Sequence, residues 1–281
     1  MQNNLVNAQW LSEHLGDDNI SIVDGSWHLP TANRNAREEF SAGHIPGAVY
    51  FDIDQCSEPG PLPHMLPSAD TFAAYAGSLG IKDSDHVVVY DTIGVFSAAR
   101  VWWMFRRYGA TNVSVLNGGL PAWLEAGYNT ATGKSDVQAA TFNATFATQS
   151  TNLQVINAAQ VLDATAQPDT VILDARSPGR FSGADKEFRP GLRSGHIPGS
   201  QNVPFTVLLE NGFFKSDEAL RDIFQAAGVT DGSRVITSCG SGVTATVLCL
   251  ALERAGIHNV ALYDGSWTEW GGLPDMPVEA S

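Results

Sequence analysis

The feature that most limits how this chain can fold is that it repeats itself. The segment Gly43-His44-Ile45-Pro46-Gly47 returns as Gly195-His196-Ile197-Pro198-Gly199. An apolar run closed by aspartate precedes each copy, Ile20-Ser21-Ile22-Val23-Asp24 and Val171-Ile172-Leu173-Asp174. His86-Val87-Val88-Val89-Tyr90-Asp91 answers Arg234-Val235-Ile236-Thr237-Ser238-Cys239. Phe105 to Val113 answers Leu252 to Val260, and Asn117-Gly118-Gly119 through Trp123 answers Asp264-Gly265-Ser266 through Trp270. Five blocks in one order, displaced by about 150 residues, mark a duplicated domain, because solenoid repeats recur every roughly 20 to 50 residues.

Each half alternates short apolar strands with helical patterns, predicted over Asp70 to Leu79, Ser97 to Tyr108, Asp217 to Ala227 and Val243 to Ala255. Such alternation gives an α/β fold, a mostly parallel sheet with helices on both faces. The stretch from Thr130 to Ser150 is rich in Ala, Thr, Ser, Gln and Asn, lacks periodicity and reads as a connector. The expected organisation is a first domain over 1–130, a linker over 131–152 and a second domain over 153–281. With 281 residues, 43% of them hydrophobic, each half can bury a core of its own.

The formal net charge of −14 argues against a nucleic-acid or anionic-membrane partner. It also requires that an anionic substrate be drawn in by local positive charge. Cys56, Cys239 and Cys249 are an odd, sparse set that forms no disulfide framework and points to a reducing compartment. No Cys/His cluster has metal-ligand spacing, so neither metal nor cofactor is expected. Met1 to Leu5 lack the character of a leader, and no run approaches the roughly 20 apolar residues that span a bilayer. A cytoplasmic enzyme able to work as a monomer is the expectation.

Chemistry concentrates at Cys239. An apolar strand ends there, the loop Gly240-Ser241-Gly242-Val243-Thr244 follows, and a helical pattern begins at once. That turn sets backbone N–H groups and the positive end of a helix dipole against one sulfur, the setting in which thiols react as thiolates. Asp91 holds the equivalent place in the first half, so only the second half can run thiol chemistry. A cysteine phosphatase shares the strand-loop-helix pattern but needs an arginine six positions after the cysteine, where this chain has Ala245. A non-catalytic binding module is the rival from another class, and retention of Cys239 argues against it.

The paired Gly-His-Ile-Pro-Gly segments, the loop at Cys239 and the terminal Asp264-Gly265-Ser266-Trp267 with Trp270 together resemble the tandem-domain rhodaneses, over about Ala8 to Pro274. The loop Cys239 to Thr244 is similar to that of the branch acting on 3-mercaptopyruvate. The resemblance implies two tandem rhodanese-like domains, the first non-catalytic and the second catalytic. It implies that Cys239 takes sulfur as a persulfide, releasing pyruvate, and passes it to a thiol, thioredoxin or cyanide. The amides of Gly240, Ser241, Gly242, Val243 and Thr244 would hold the anionic sulfur, where glycine permits close approach and unusual φ. Thiosulfate-specific relatives carry basic side chains in this loop. Its neutrality here disfavours thiosulfate:cyanide transfer, and the Ser241 and Thr244 hydroxyls can position a carbonyl or shuttle a proton.

By the same resemblance, Arg180 and Arg189 match the two arginines that grip the substrate carboxylate, a task suited to guanidinium; Arg193 ranks below them. Asp264 and Trp267 are implied to support the active loop from behind. His44 and His196 open identical turns and read first as structural. The family's proton relay nonetheless uses a first-domain histidine, which keeps His44 as a candidate. The acidic partner of that relay falls at or near Asn35, a departure from the family pattern. Asp91 reads as structural or as shaping the domain interface, Cys249 as core, Cys56 as a bystander, and Trp102 and Trp103 as packing.

Overall fold

The computed structural model of the chain describes residues 4–135, 137–145 and 151–280. Residues 1–3 and 281, with 136 and 146–150 of the expected linker, lie outside the described residues. Two compact units emerge. The first takes Met1–Glu58, Leu66–Ala147 and Asn211–Phe214; the second takes Pro59–Met65, Thr148–Glu210 and Lys215–Ser281. The short segment 59–65 therefore lies in the first half of the sequence but in the second unit of the structure.

Each unit is built on a five-stranded sheet with one strand order. In the first, Leu5–Val6, Val113–Leu116, His86–Tyr90, Ile20–Asp24 and Val49–Tyr50 lie side by side. In the second the order is Gln154–Ile156, Val260–Tyr263, Arg234–Ser238, Thr170–Asp174 and Gln201–Asn202. All these pairings are parallel. The central strands are uninterrupted apolar runs, and Val87, Val88, Val89, Val235 and Ile236 are wholly buried, as a sheet covered on both faces requires. Register places Tyr90 opposite Asp24 and Ser238 opposite Asp174. Asp91 and Cys239 consequently begin their loops at the C-terminal ends of central strands, where open α/β sheets carry their sites.

The helices form where the periodicity predicts them, over Ala69–Ser78, Ala98–Arg107, Asp217–Ala226 and Ala245–Arg254. Ser68 and Ser216 cap the first and third of these by accepting from Thr71 N–H and Ala219 N–H. Ala98–Arg107 and Ala245–Arg254 are different. Their first eight residues are all buried, so they are core helices rather than amphipathic ones. Embedding the helix fixes the loop before it, which runs directly from the buried central strand.

Internal symmetry extends to single contacts. His44 Nδ1–H donates to Phe40 O at 2.7 Å with its ring stacked on Phe40, and His196 Nδ1–H donates to Phe181 O at 2.9 Å while stacked on Phe181. Trp123 and Trp270 each donate Nε1–H to the carbonyl of the departing chain, at Asn129 and Pro277. The described part of the expected connector lies along the first unit. Ala131 bridges to His44, Ala140 N–H donates to Gly77 O, and Phe142 is buried against Phe72 and Phe105. Among the described residues, no helix is long and apolar enough to cross a membrane.

Candidate active site

The equivalent loops at Asp91 and Cys239 can be compared atom by atom. In the first unit the Asp91 carboxylate folds back into its own loop. Oδ1 accepts from Ile93 and Gly94 N–H at 2.9 Å each, and Oδ2 accepts from Phe96 N–H at 2.7 Å and Ala98 N–H at 2.9 Å. A turn of this shape is thus an anion cradle, and here the anion is the protein's own side chain. In the second unit the corresponding donors are on Ser241, Gly242, Thr244 and Thr246. The N–H groups of Ser241 and Thr244 meet no acceptor among the described residues. Cys239 is 2% exposed at the head of that loop, at the position equivalent to Asp91. Gly242 adopts φ +77°, a conformation in which a side chain is strained. Gly240 is required for a different reason. A Cβ there would stand 3.0 Å from Arg180 Nη2, so the glycine makes room for the guanidinium.

Ser241 does not stand alone. Its Oγ lies 2.9 Å from Nδ1 of His64, and both residues are buried. His64 sits in a left-handed conformation, φ +60°, at the end of the Pro59-Gly60-Pro61-Leu62-Pro63 run. The histidine joined to the loop is thus His64, a residue that sequence reasoning passed over, and not the His44 named as relay candidate. His44 is instead occupied by Phe40 O, as its twin His196 is by Phe181 O, which is a fold-holding role. Asn35, where the relay's acid was sought, is a helix N-cap accepting from Arg37 and Glu38 N–H. The one available signal for His64 was a histidine ending a proline-rich, conformationally stiff stretch.

Of the two predicted clamp arginines, Arg180 reaches the loop directly and Arg189 is linked to it through Thr268. Besides its approach to Gly240, Arg180 pairs with Glu187 at 2.6 Å. Arg189 Nη1 donates to Thr268 Oγ1 at 3.5 Å, and Thr268 donates both its Oγ1–H and its N–H to Gly240 O. Arg193 does other work, donating to the carbonyls of Gly271, Met276, Trp270 and Leu273 and so tying down the chain after Trp270. Arg176, which the sequence left without a role, is fully buried, bonded to Asp174 and to Glu187.

Behind the thiol, Trp267 N–H donates to Cys239 O at 3.0 Å, and Ser266 Oγ accepts from Cys239 N–H at 3.1 Å. Ser266 is a second non-glycine residue at positive φ, +50°, and was also missed; in the first unit its counterpart is Gly119, at φ +57°. Two left-handed side-chain-bearing residues against one loop are strain of the kind that accumulates at functional sites. The predicted supporting residues, Asp264 and Trp267, are both buried, and the Arg176 guanidinium lies 4.4 Å over the Trp267 ring. The remaining thiols are elsewhere. Burial pushes Cys56 up to about 12, where it is unreactive, and Cys249 Sγ is 3.2 Å from Thr237 Oγ1 in the core.

Comparison with known proteins agrees with this architecture. The rhodanese-like domain family matches twice, over residues 7–126 and 157–273. The chain is 44% identical over 276 residues to the 3-mercaptopyruvate sulfurtransferase of Escherichia coli, covering 98% of this chain and 97% of that protein. It is 43% identical over 275 residues to the thiosulfate sulfurtransferase of Cricetulus griseus, covering 95% and 91%. Overall identity therefore does not separate the two substrate classes. The crystal structure of the 3-mercaptopyruvate sulfotransferase SseA from Escherichia coli superposes with a TM-score of 0.86 at 41% identity, covering 95% of this chain and 99% of that one. Two matched domains, near-complete coverage and a shared fold lead to one conclusion: the chain belongs to the rhodanese family, with two rhodanese-like domains in tandem.

Proposed function

We propose that the protein transfers sulfur from 3-mercaptopyruvate through a persulfide on Cys239 to a thiol, thioredoxin or cyanide, acting as a cytoplasmic monomer. The observation that carries this reading is the pair of matched loops. One cradle holds a carboxylate on four amides, and its twin carries a thiol at the equivalent position, with Arg180 against the loop and Arg189 linked to it through Thr268.

The substrate carboxylate meets Arg180 and Arg189. Deprotonated Cys239 Sγ attacks the substrate sulfur, the new S–S bond forms, and the C–S bond breaks with its electron pair passing to carbon as the enolate of pyruvate. A proton delivered to that carbon completes pyruvate, and the Ser241–His64 pair is placed to supply it. The outer sulfur, anionic after losing its proton, rests on the loop amides until an acceptor thiolate attacks it and restores Cys239. No side chain from Gly240 to Thr244 is basic, which favours a carboxylate substrate over the thiosulfate dianion.

The test compares pyruvate release from 3-mercaptopyruvate with thiocyanate formation from thiosulfate and cyanide. A higher kcat/KM for thiosulfate would overturn the substrate assignment. Mass spectrometry after a single addition of substrate should show one added sulfur on the wild type and none on Cys239→Ser. Absence of both activities in the wild type would favour a binding module.

A further inference from the structure

We propose that Glu187 is a positioning residue that decides which edge of the Arg180 guanidinium meets the substrate. The inference rests on the reading of Arg180 as a carboxylate-binding residue. A guanidinium offers two edges suited to bidentate contact, one formed by Nε with one terminal nitrogen and one formed by the two terminal nitrogens. Glu187 takes the first. Its Oε1 and Oε2 each accept from Arg180 Nε at 3.2 Å, and Oε2 accepts from Nη2 at 2.6 Å. The terminal edge, with Nη1 and the second N–H of Nη2, is left facing Gly240.

Glu187 can perform this selection because it cannot itself move. Its side chain is 2% exposed, and Oε1 also accepts from Arg176 Nη1 at 2.8 Å. Arg176 is in turn fixed by Asp174 at the end of the strand Thr170–Asp174, by Gly195 O at 2.8 Å and by the Trp267 ring. Trp267 holds the Cys239 carbonyl. The arginine that binds substrate and the thiol that reacts are therefore referred to one rigid frame. Phe188 adds the second arginine to it, because the guanidinium carbons of Arg180 and Arg189 both lie 4.9 Å from the centre of its ring.

Charge follows the same logic. Asp174, Arg176, Glu187 and Arg180 form an alternating array whose charges sum to zero. Removing the Glu187 charge leaves Arg176 and Arg180 without the anion between them, so Arg180 should swing away from its working direction.

The experiment is steady-state pyruvate release from 3-mercaptopyruvate by the full-length protein, in a double-mutant cycle. Glu187→Gln should raise KM about tenfold with kcat changed by less than about threefold, the signature of lost substrate positioning. Glu187→Asp, which keeps the charge at shorter reach, should fall between. In an Arg180→Ala background Glu187→Gln should change KM no further, since it is through Arg180 that Glu187 bears on substrate binding. An unchanged KM in both Glu187 variants, or an equal effect with and without Arg180, would overturn the proposal. If Glu187→Gln does not fold, Glu187→Asp carries the cycle. A turnover-independent arm follows pyruvate binding to Cys239→Ser by saturation-transfer NMR with and without Glu187→Gln. Weakened pyruvate binding in a protein that never releases pyruvate would retain this proposal and reject the assigned reaction.

Discussion

Ser241 Oγ and His64 Nδ1 lie 2.9 Å apart, and the two residues are separated by 177 positions in sequence. A hydroxyl two positions after Cys239 is thereby joined to an imidazole. On the proposed mechanism, Ser241→Ala and His64→Asn should each lower kcat for pyruvate release by about 100-fold or more. Combined, they should cost little more than either alone, because the two act as one unit. Fully additive losses in the double variant would show that they work independently.

Gly240→Ala tests the closeness of the clamp to the loop. The added methyl meets Arg180 Nη2 at 3.0 Å, and the guanidinium, held by Glu187, must give by a few tenths of an ångström. KM for 3-mercaptopyruvate should rise by about fivefold to tenfold while thermal stability changes little. A variant with unaltered KM would mean that Arg180 yields freely.

A third prediction concerns Asp24, the first-unit counterpart of Asp174. Asp174 is neutralised by Arg176, but the equivalent of Arg176 is Ser26, and the buried Asp24 carboxyl is raised to about 6 by desolvation, with the Ser26 N–H bond opposing. A raised acid is penalised in the fold when ionised. The penalty is complete above pH 6, on the order of 3 kcal/mol, and is relieved as pH falls through about 6 towards 4. Asp24→Asn should therefore be more resistant to urea than wild type at pH 8, with the difference shrinking towards pH 4. A difference that does not vary with pH would contradict this.

Asp91 should matter for stability rather than chemistry. Truncating it to alanine strips four N–H groups, three of them buried, of their acceptor, at a cost of about 3 kcal/mol or more. Asn cannot replace it fully, since its NH₂ would face donors that Oδ2 now serves. Chemical unfolding of Asp91→Ala and Asp91→Asn, followed by the fluorescence of the first-unit tryptophans, measures both losses.

What was legible in the sequence was local or repeated. The strands and helices carried their own periodicities, and the duplication made Asp91 and Cys239 readable as a contrasted pair. Arg180 and Arg189 were found through resemblance; Arg180 lies against Gly240, and Arg189 connects to it through Thr268. His64 was out of reach, because segment 59–65 crosses from one sequence half into the other unit, and no local pattern marks such a crossing. Glu187 was hidden for a related reason. A buried carboxylate between two arginines looks, in sequence, like one charge among many in an exposed loop. The role of Gly240 needed coordinates, since room for a distant guanidinium leaves no trace in backbone preference.

The self-liganded loop at Asp91 has a consequence for motion. The first unit owns its anion permanently, while on the proposed mechanism the second carries a persulfide anion out over its loop amides only when Cys239 is loaded with sulfur. Sulfur loading should thus be visible as deuterium exchange. The amides of Ser241 and Thr244 should exchange quickly in the resting protein and slowly once loaded, while those of Ile93 and Phe96 stay equally protected throughout. One half would open and tighten with every turnover, and its twin would record none of it.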